Sequence, residues 1–459
     1  MSRFLARLAI KVSAAISQHK KEFFDYLIAH SADIENLVRC HLGINWCHVC
    51  VMEIWKSGSF NVWHDKVFVR FPLPYKLGEA NNPGNLEEKL RTEVAAYIWL
   101  QEQCPDVSIP IYTASFTHPR NAPFFAKTML GVRRLVLSWL GFLTPCNYVR
   151  HGLHNPFKSG YIILSEAKGE PLHRSWEDHR HDKSYRTRLF RGLARISLSL
   201  NEKLLSQIGL LTLDLRGVIT LPNWPLTLYL QMLENEGTPS GIPRQRTYRS
   251  VGPYISDLLS FQDNRILYQP NSVHNQDDGE MQFAALTALR ATMHRFIRPE
   301  YRDGPFFFTL TDLHRSNIFP PYWLASKAVK GFGDSESVAE LDTLLKEYFA
   351  IYEEENARNG ILYQAPVMRH VWEAGSFWYF QAIKVPKGMY RVFNSNIQPL
   401  FNKEHCEESI FDQVFWWYWT VCAQEVKQKK IKDKEDYTMQ LSEAFGTAGQ
   451  DKTDHAKAD

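Results

Sequence analysis

Two hydrophobic rhythms divide the chain. Between about Val49 and Leu164, short alternating runs predict strands at Val49–Trp55, from Phe60 and Val62 onward, at Val67–Phe71 and at Tyr161–Leu164. Pro72 and Pro74 close the third of these, because proline cannot donate to a ladder. One helix is predicted inside this part, from about Leu86 to Gln103, and another near Val132–Leu143. After Pro171 the apolar residues recur at helical spacing near 182–208, 225–234, 251–269, 280–297, 336–357, 365–383 and 409–428. One strand, Phe306–Leu310, interrupts them after Gly304-Pro305. The aromatic run Phe415–Trp419 predicts a helix buried on most sides.

These elements imply an α+β chain in four parts: a helical extension over 1–48, a small β-rich portion over 49–165, a large helical portion over 166–428, and a polar tail over 429–459 expected to fray. Lys168-Gly169-Glu170-Pro171 reads as the connection between the two large portions.

Composition narrows the class. Hydrophobic residues are 44% and charged residues 22% of 459, which supports a packed core and argues against disorder. The net charge of +3 gives no global signature of a nucleic-acid binder. Seven scattered cysteines fit reduced thiols better than a disulfide framework. Cys40, His41, Cys47, His48 and Cys50 match none of the usual zinc spacings and read as small hydrophobic groups at a helix-to-strand junction. No apolar run reaches the roughly 20 residues of a membrane span. The first 21 residues carry five cations and no acid, which suits a basic surface helix or a mitochondrial presequence; the expected location is cytoplasmic, with mitochondrial as the alternative.

The sharpest chemical signal is Leu310-Thr311-Asp312-Leu313-His314-Arg315-Ser316-Asn317. An apolar strand delivers an Asp, and an Asn follows five residues later. Phosphoryl transfer needs a carboxylate at the attacking hydroxyl and an oxygen ligand for magnesium, and the kinase catalytic loop supplies both at this spacing. A polar turn between core strands would look the same. A second signal is Arg70, a cation set among apolar strand residues. Glu93 falls on the stripe Leu86, Leu90, Glu93, Tyr97, Leu100 of the following helix, where an unpaired carboxylate is costly. Arg70 is its candidate partner, as a phosphate-holding pair or as a structural ion pair. Gly58, in Ser57-Gly58-Ser59, is either a phosphate-covering turn or a plain β-turn. Ile162–Ala167, with Leu164 and Glu166, could offer backbone groups to an adenine edge, although composition alone reads it as a buried strand. No Walker A, G-x-S-x-G or H-E-x-x-H motif occurs.

Together Val69–Cys104, Gly160–Leu172 (GYIILSEAKGEPL) and Phe306–Phe319 (FFFTLTDLHRSNIF) resemble the aminoglycoside phosphotransferase family, in particular its large fungal branch, over most of the chain from about residue 50. The resemblance implies a bilobal protein-kinase-like fold, with a small β-rich N-lobe and a large mainly helical C-lobe. It implies ATP and Mg2+ as cofactors and a small-molecule hydroxyl as acceptor. It carries over Asp312 as catalytic, Asn317 as a magnesium ligand and Arg70 as a phosphate contact. Three departures stand against it. Leu310-Thr311 replace the family's His-Gly before Asp312, and the hairpin from Gly58 to Arg70 is short. The strand and Ile-Asp-x-Glu-type motif that should follow Asn317, with its principal metal ligand, is absent: Phe319 runs straight into Pro320-Pro321, as if a segment were missing at that junction. The next carboxylates are Asp334 and Glu336. The expected function is therefore an ATP-dependent phosphotransferase impaired in its metal site. The alternatives are a non-catalytic kinase-like nucleotide-binding or interaction protein, and an unrelated helical binding protein in which the Asp312–Asn317 spacing is accidental. The acceptor's identity and the oligomeric state are not written in the sequence.

Overall fold

The strands form where β-branched and aromatic residues alternate. They are Trp63–His64 (β1), Val67–Arg70 (β2), Tyr112–Thr113 (β3), Phe116–Thr117 (β4), Val149–Arg150 (β5), Ile162–Ser165 (β6), Leu204–Leu205 (β7), Leu210–Leu213 (β8), Ile219–Asn223 (β9) and Phe306–Phe307 (β10). The computed structural model describes residues 18–48, 63–64, 67–79, 81–107, 109, 112–113, 116–117, 123–150, 155–157, 159–165, 172, 176, 180–225, 227–309, 335–358, 364–385, 388–401 and 408–454. The largest sheet is antiparallel, in the order β1-β2-β6-β3, and β4–β5, β7–β10 and β8–β9 form separate antiparallel pairs. The fold is mixed α+β and mainly helical, and among the described residues the sheets are small and antiparallel.

The longer helices are Ser31–Leu42 (α1), Asn85–Gln103 (α2), Phe124–Trp139 (α3), Lys183–Asn201 (α4), Leu228–Asn235 (α5), Val251–Tyr268 (α6), Gln276–Thr292 (α7), Ser335–Arg358 (α8), Gln364–Glu373 (α9), Ser376–Lys384 (α10), Glu408–Phe415 (α11) and Ala423–Asp454 (α12). Two large hydrophobic cores result. One gathers Val67, Val69 and Phe71 with Ile162 and Ile163 of the sheet, Val94, Ala95 and Ile98 of α2, and Ile34 and Val38 of α1. The other lies among α4, α6, α7, α8 and α10, around Phe283, Tyr348, Tyr352 and Tyr379.

Several expectations need correction. The helix expected over 182–208 stops at Asn201, Leu204–Leu205 is a strand, and Leu210–Leu213 and Ile219–Asn223 pair as a hairpin for which no element was expected. The β8–β9 hairpin sends Leu211 and Leu213 into the sheet core, so this piece of the presumed helical portion packs with the β-rich one. The N-terminal helical extension is likewise part of that core through Leu27, Ile34, Leu37 and Val38. On α2 Val94, Ala95, Ile98 and Leu100 are buried, while Leu86, Leu90, Glu93 and Tyr97 of the expected stripe are half-buried. The helix expected over 365–383 is cut at Gly375, whose φ of 75° turns the chain between α9 and α10. The aromatic run divides: Trp416 and Trp419 are buried, while Trp417 and Tyr418 face solvent on a 3-10 turn.

Of the stretch expected to fray from Lys429, the part through Asp454 lies in helix α12, and 455–459 lie outside the described residues. Lys427 donates to Glu280 at 2.6 Å and sits 3.8 Å from the centre of the Trp416 ring. Lys430 is buried, reaching the Gln269 carbonyl at 2.5 Å and Asp433 at 3.1 Å. Burial pushes the Lys430 ammonium pKa down, and Asp433 opposes the shift.

An ion ladder joins α4 to α8. Arg186 meets Glu347 at 2.9 Å, and Glu355, buried, receives Arg191 at 3.0 Å, Arg195 at 2.8 Å and Arg358 at 2.6 Å. Burial by itself would push the Glu355 carboxyl up; the hydrogen bond and charge of Arg195, with Arg358 and Arg191, outweigh it and hold the pKa below the usual range. A carboxyl depressed in the folded state stabilises fully above its unfolded pKa, near 4.3, and the contribution is lost as pH falls through the folded value. Glu355→Gln is therefore expected to cost about 1–2 kcal/mol at neutral pH, discounted because Arg195 and Arg358 can rehydrate. Denaturant titrations at stepped pH should show the gap to the wild type closing below about pH 4. A gap independent of pH would contradict the assignment.

Candidate functional site

Period-two alternation in Val67-Phe68-Val69-Arg70 sends Val67 and Val69 to one face of β2 and Phe68 and Arg70 to the other. Register places Phe68 opposite Leu164 and Arg70 opposite Ile162, and directly opposed residues share a face. The strand ends after Arg70, where Pro72 has no N–H for the ladder. Arg70 thus stands at the last rung of a central strand.

Helix α2 approaches that face. Arg70 Nη1 donates to Glu93 Oε1 at 2.8 Å, with the side chains 30% and 15% exposed. A pair this far withdrawn from water is screened less than a surface pair, and the carboxylate fixes the direction of the guanidinium. Tyr97, one turn after Glu93, accepts a hydrogen bond from Arg70. Burial pushes its hydroxyl pKa up; Arg70 opposes the shift and Glu93 adds to it. Tyr97 was not among the expected site residues, although its i+4 spacing from Glu93 is the signal that finds it.

A second network sets the position of α2. Glu79 receives the backbone N–H groups of Gly84 and Leu86 at 2.9 and 2.7 Å, so a carboxylate covers the helix N-terminus. Arg244 lies 4.5 Å from the centre of the Trp224 ring. It donates to Glu88 at 3.1 Å, to Asn85 at 2.9 Å and to Glu234 at 3.0 Å. Trp224 and Asn223 complete Glu88 with bonds of 2.8 and 2.9 Å. Nothing in the local sequence around Arg244 announces these partners. At the other end of α2, Phe308 stacks on Trp99 with ring centres 5.0 Å apart. Phe308 follows β10, so the stem leading to Leu310–Asn317 is docked on the helix that carries Glu93.

Of the expected site residues, the structure brings Arg70 and Glu93 together and puts Leu164 on the Arg70 face. Leu164 is buried within β6, between Phe68 on one side and Tyr112 on the other. It can act as a wall, and backbone offered to an adenine would have to come from farther along the chain. Gly58, Glu166, Asp312, Asn317 and Asp334 lie outside the described residues.

Of the Cys/His cluster, Cys50 lies outside the described residues and the others have separate surroundings. His41 Nε2 is 2.7 Å from the Tyr161 hydroxyl, His48 pairs with Glu35 at 3.1 Å, Cys40 is exposed, and burial pushes the Cys47 thiol pKa up. Among the described residues no group of three or more His, Cys, Asp or Glu could hold a metal ion. A cavity of about 550 Å³ opens at the N-terminal end of α2 beside Glu88, Arg91 and Arg244, and another of about 560 Å³ lies beside Asp342, Trp372 and Trp378. Arg70 and Glu93 do not line either. No protein-family model, curated protein or solved structure matches the chain.

Proposed function

We propose that the protein is an ATP-dependent phosphotransferase with a bilobal kinase-like fold, acting on the hydroxyl of a small molecule. The Arg70–Glu93 pair carries the reading: a strand cation held by a glutamate of the following long helix is the arrangement that positions nucleotide phosphates in kinases. A guanidinium fork suits phosphate oxygens, and a carboxylate that fixes it from behind preorganises it for them. The docking of Phe308 on Trp99 adds support. It places the start of the segment leading to Asp312 on the helix that carries Glu93, six residues from it.

In this reading Arg70 holds phosphate oxygens, Glu93 and Tyr97 orient Arg70, and Asp312 takes the proton of the acceptor hydroxyl. Asn317 serves as a magnesium ligand, and Leu164 walls the base. Magnesium, when bound, neutralises charge on the phosphate oxygens. The donors for it would come from Asn317 and its surroundings, since the described residues offer no cluster.

One observation favours a second reading, a kinase-like protein that binds nucleotide without transferring phosphate. After Asn317 the prolines Pro320 and Pro321 stand where a metal-binding Asp is expected. A coupled assay of ADP release against a panel of aminoglycosides, sugars and amino alcohols separates the two. Transfer is expected to need magnesium and to fall roughly 10²–10³-fold in Asp312→Asn. Nucleotide binding without turnover on any acceptor supports the second reading.

A further inference from the structure

Helix α3 buries none of its residues, although most of them are apolar. Phe124, Leu135 and Trp139 are 84%, 73% and 87% exposed. At about 100° per residue, these three and Phe125, Val132, Val136 and Met129 fall within an arc of roughly 140°. The opposite side rests on the protein: Leu130 and Leu137 are half-buried, and Arg134 donates to the Pro145 carbonyl at 2.7 Å. Gly141, at φ 74°, ends the helix, with Phe142 N–H bonded to the Leu137 carbonyl at 2.9 Å. The turn leaves Phe142 and Leu143 exposed as well. A continuous surface of this kind on a folded protein marks an interaction site.

Charge identifies what covers it. From Val107 to Ser165 the chain has no Asp or Glu and six Lys or Arg. Lys127 and Arg133 flank the apolar arc on either side, and among the described residues neither meets a carboxylate. Glu102 interacts with Arg134, on the inner side of the helix, and is held by Asn147 N–H at 2.5 Å. We propose that α3 lies in the headgroup region of an anionic lipid surface, with Trp139, Leu135 and Phe124 in the acyl boundary and Lys127 and Arg133 at the phosphates. Sixteen residues span about 24 Å, and no helix among the described residues is long and apolar enough to cross a membrane, so the helix lies flat on the surface. A second copy fits less well: packed face to face, two such helices would set cation against cation with no acid to pair them. The inference does not depend on the phosphotransferase reading.

Flotation of the full chain with phosphatidylcholine vesicles, with and without phosphatidylserine, tests it. The wild type should float only with phosphatidylserine, and less as salt is raised. Removing both cations with Lys127→Gln and Arg133→Gln should weaken binding about thirtyfold, from about 1 kcal/mol per cation. Leu135→Glu and Trp139→Glu should each lose at least about tenfold with unchanged Tm, and Trp139→Phe should retain binding. The proposal is overturned if the wild type ignores anionic vesicles. It is also overturned by a dimer that Leu135→Glu dissociates, or by a fall in Tm in Leu135→Glu, which would show a face covered by protein.

Discussion

Arg70→Met is expected to lower phosphoryl transfer roughly 10²–10³-fold, with the loss appearing already in magnesium-nucleotide affinity. Methionine keeps the unbranched stem on the face shared with Phe68 and Ile162 and removes only the cation. The folding cost should stay near 1–2 kcal/mol, because Glu93 is 15% exposed and can turn toward water. Glu93→Gln should do less, about tenfold, since an amide still accepts from Arg70 but no longer fixes it by charge. The competing account, a structural ion pair, predicts the reverse pattern. Both variants would then lose stability while nucleotide affinity stays at the wild-type value. Titration calorimetry and denaturant midpoints on the same three proteins distinguish the two outcomes.

Arg244→Met is expected to destabilise the fold by about 3 kcal/mol. The guanidinium joins two withdrawn carboxylates, Glu88 at 16% exposure and Glu234 at 4%, and its removal leaves Glu234 buried without its cation. Glu234→Gln in the same chain should recover part of the loss, because a neutral amide tolerates that site better than a carboxylate. Since the Arg244 network fixes the start of α2, the variant should also weaken nucleotide binding through Glu93, by less than Arg70→Met does. Urea titration of the single and double variants measures the first effect. Equal stability of Arg244→Met and wild type would show that the network contributes nothing net.

Much of the frame around Arg70 was legible because each piece is local. Strand β2 ends two residues before Pro72, α2 begins directly after Gly84, and Glu93 is polar on an otherwise apolar stripe. Other parts were hidden for physical reasons. Leu210–Leu213 is a short apolar run, which periodicity cannot assign to helix or strand. Its hairpin is set by Asp214, whose carboxylate takes the N–H groups of Arg216 and Val218, an Asx turn that a helical reading overlooks. The helix break at Gly375 interrupts an unbroken apolar rhythm and needs only one residue at positive φ. Lys427 and Lys430 look like a solvated helix face; their partners Glu280 and Gln269 are distant in sequence, and no local pattern reveals them. The helix expected near Val132–Leu143 begins earlier, at Phe124 directly after Pro123, so half of its apolar face lies before the expected start.

Calorimetric titration of a non-hydrolysable ATP analogue into the full chain, with magnesium and then with chelator, bears most directly on the proposed site. One analogue should bind per chain, the heat should vanish on chelation, and Arg70→Met should show none. A wild type that takes up no nucleotide, or an Arg70→Met variant that binds as tightly as the wild type, would contradict the assignment of Arg70 and Glu93 to a nucleotide site.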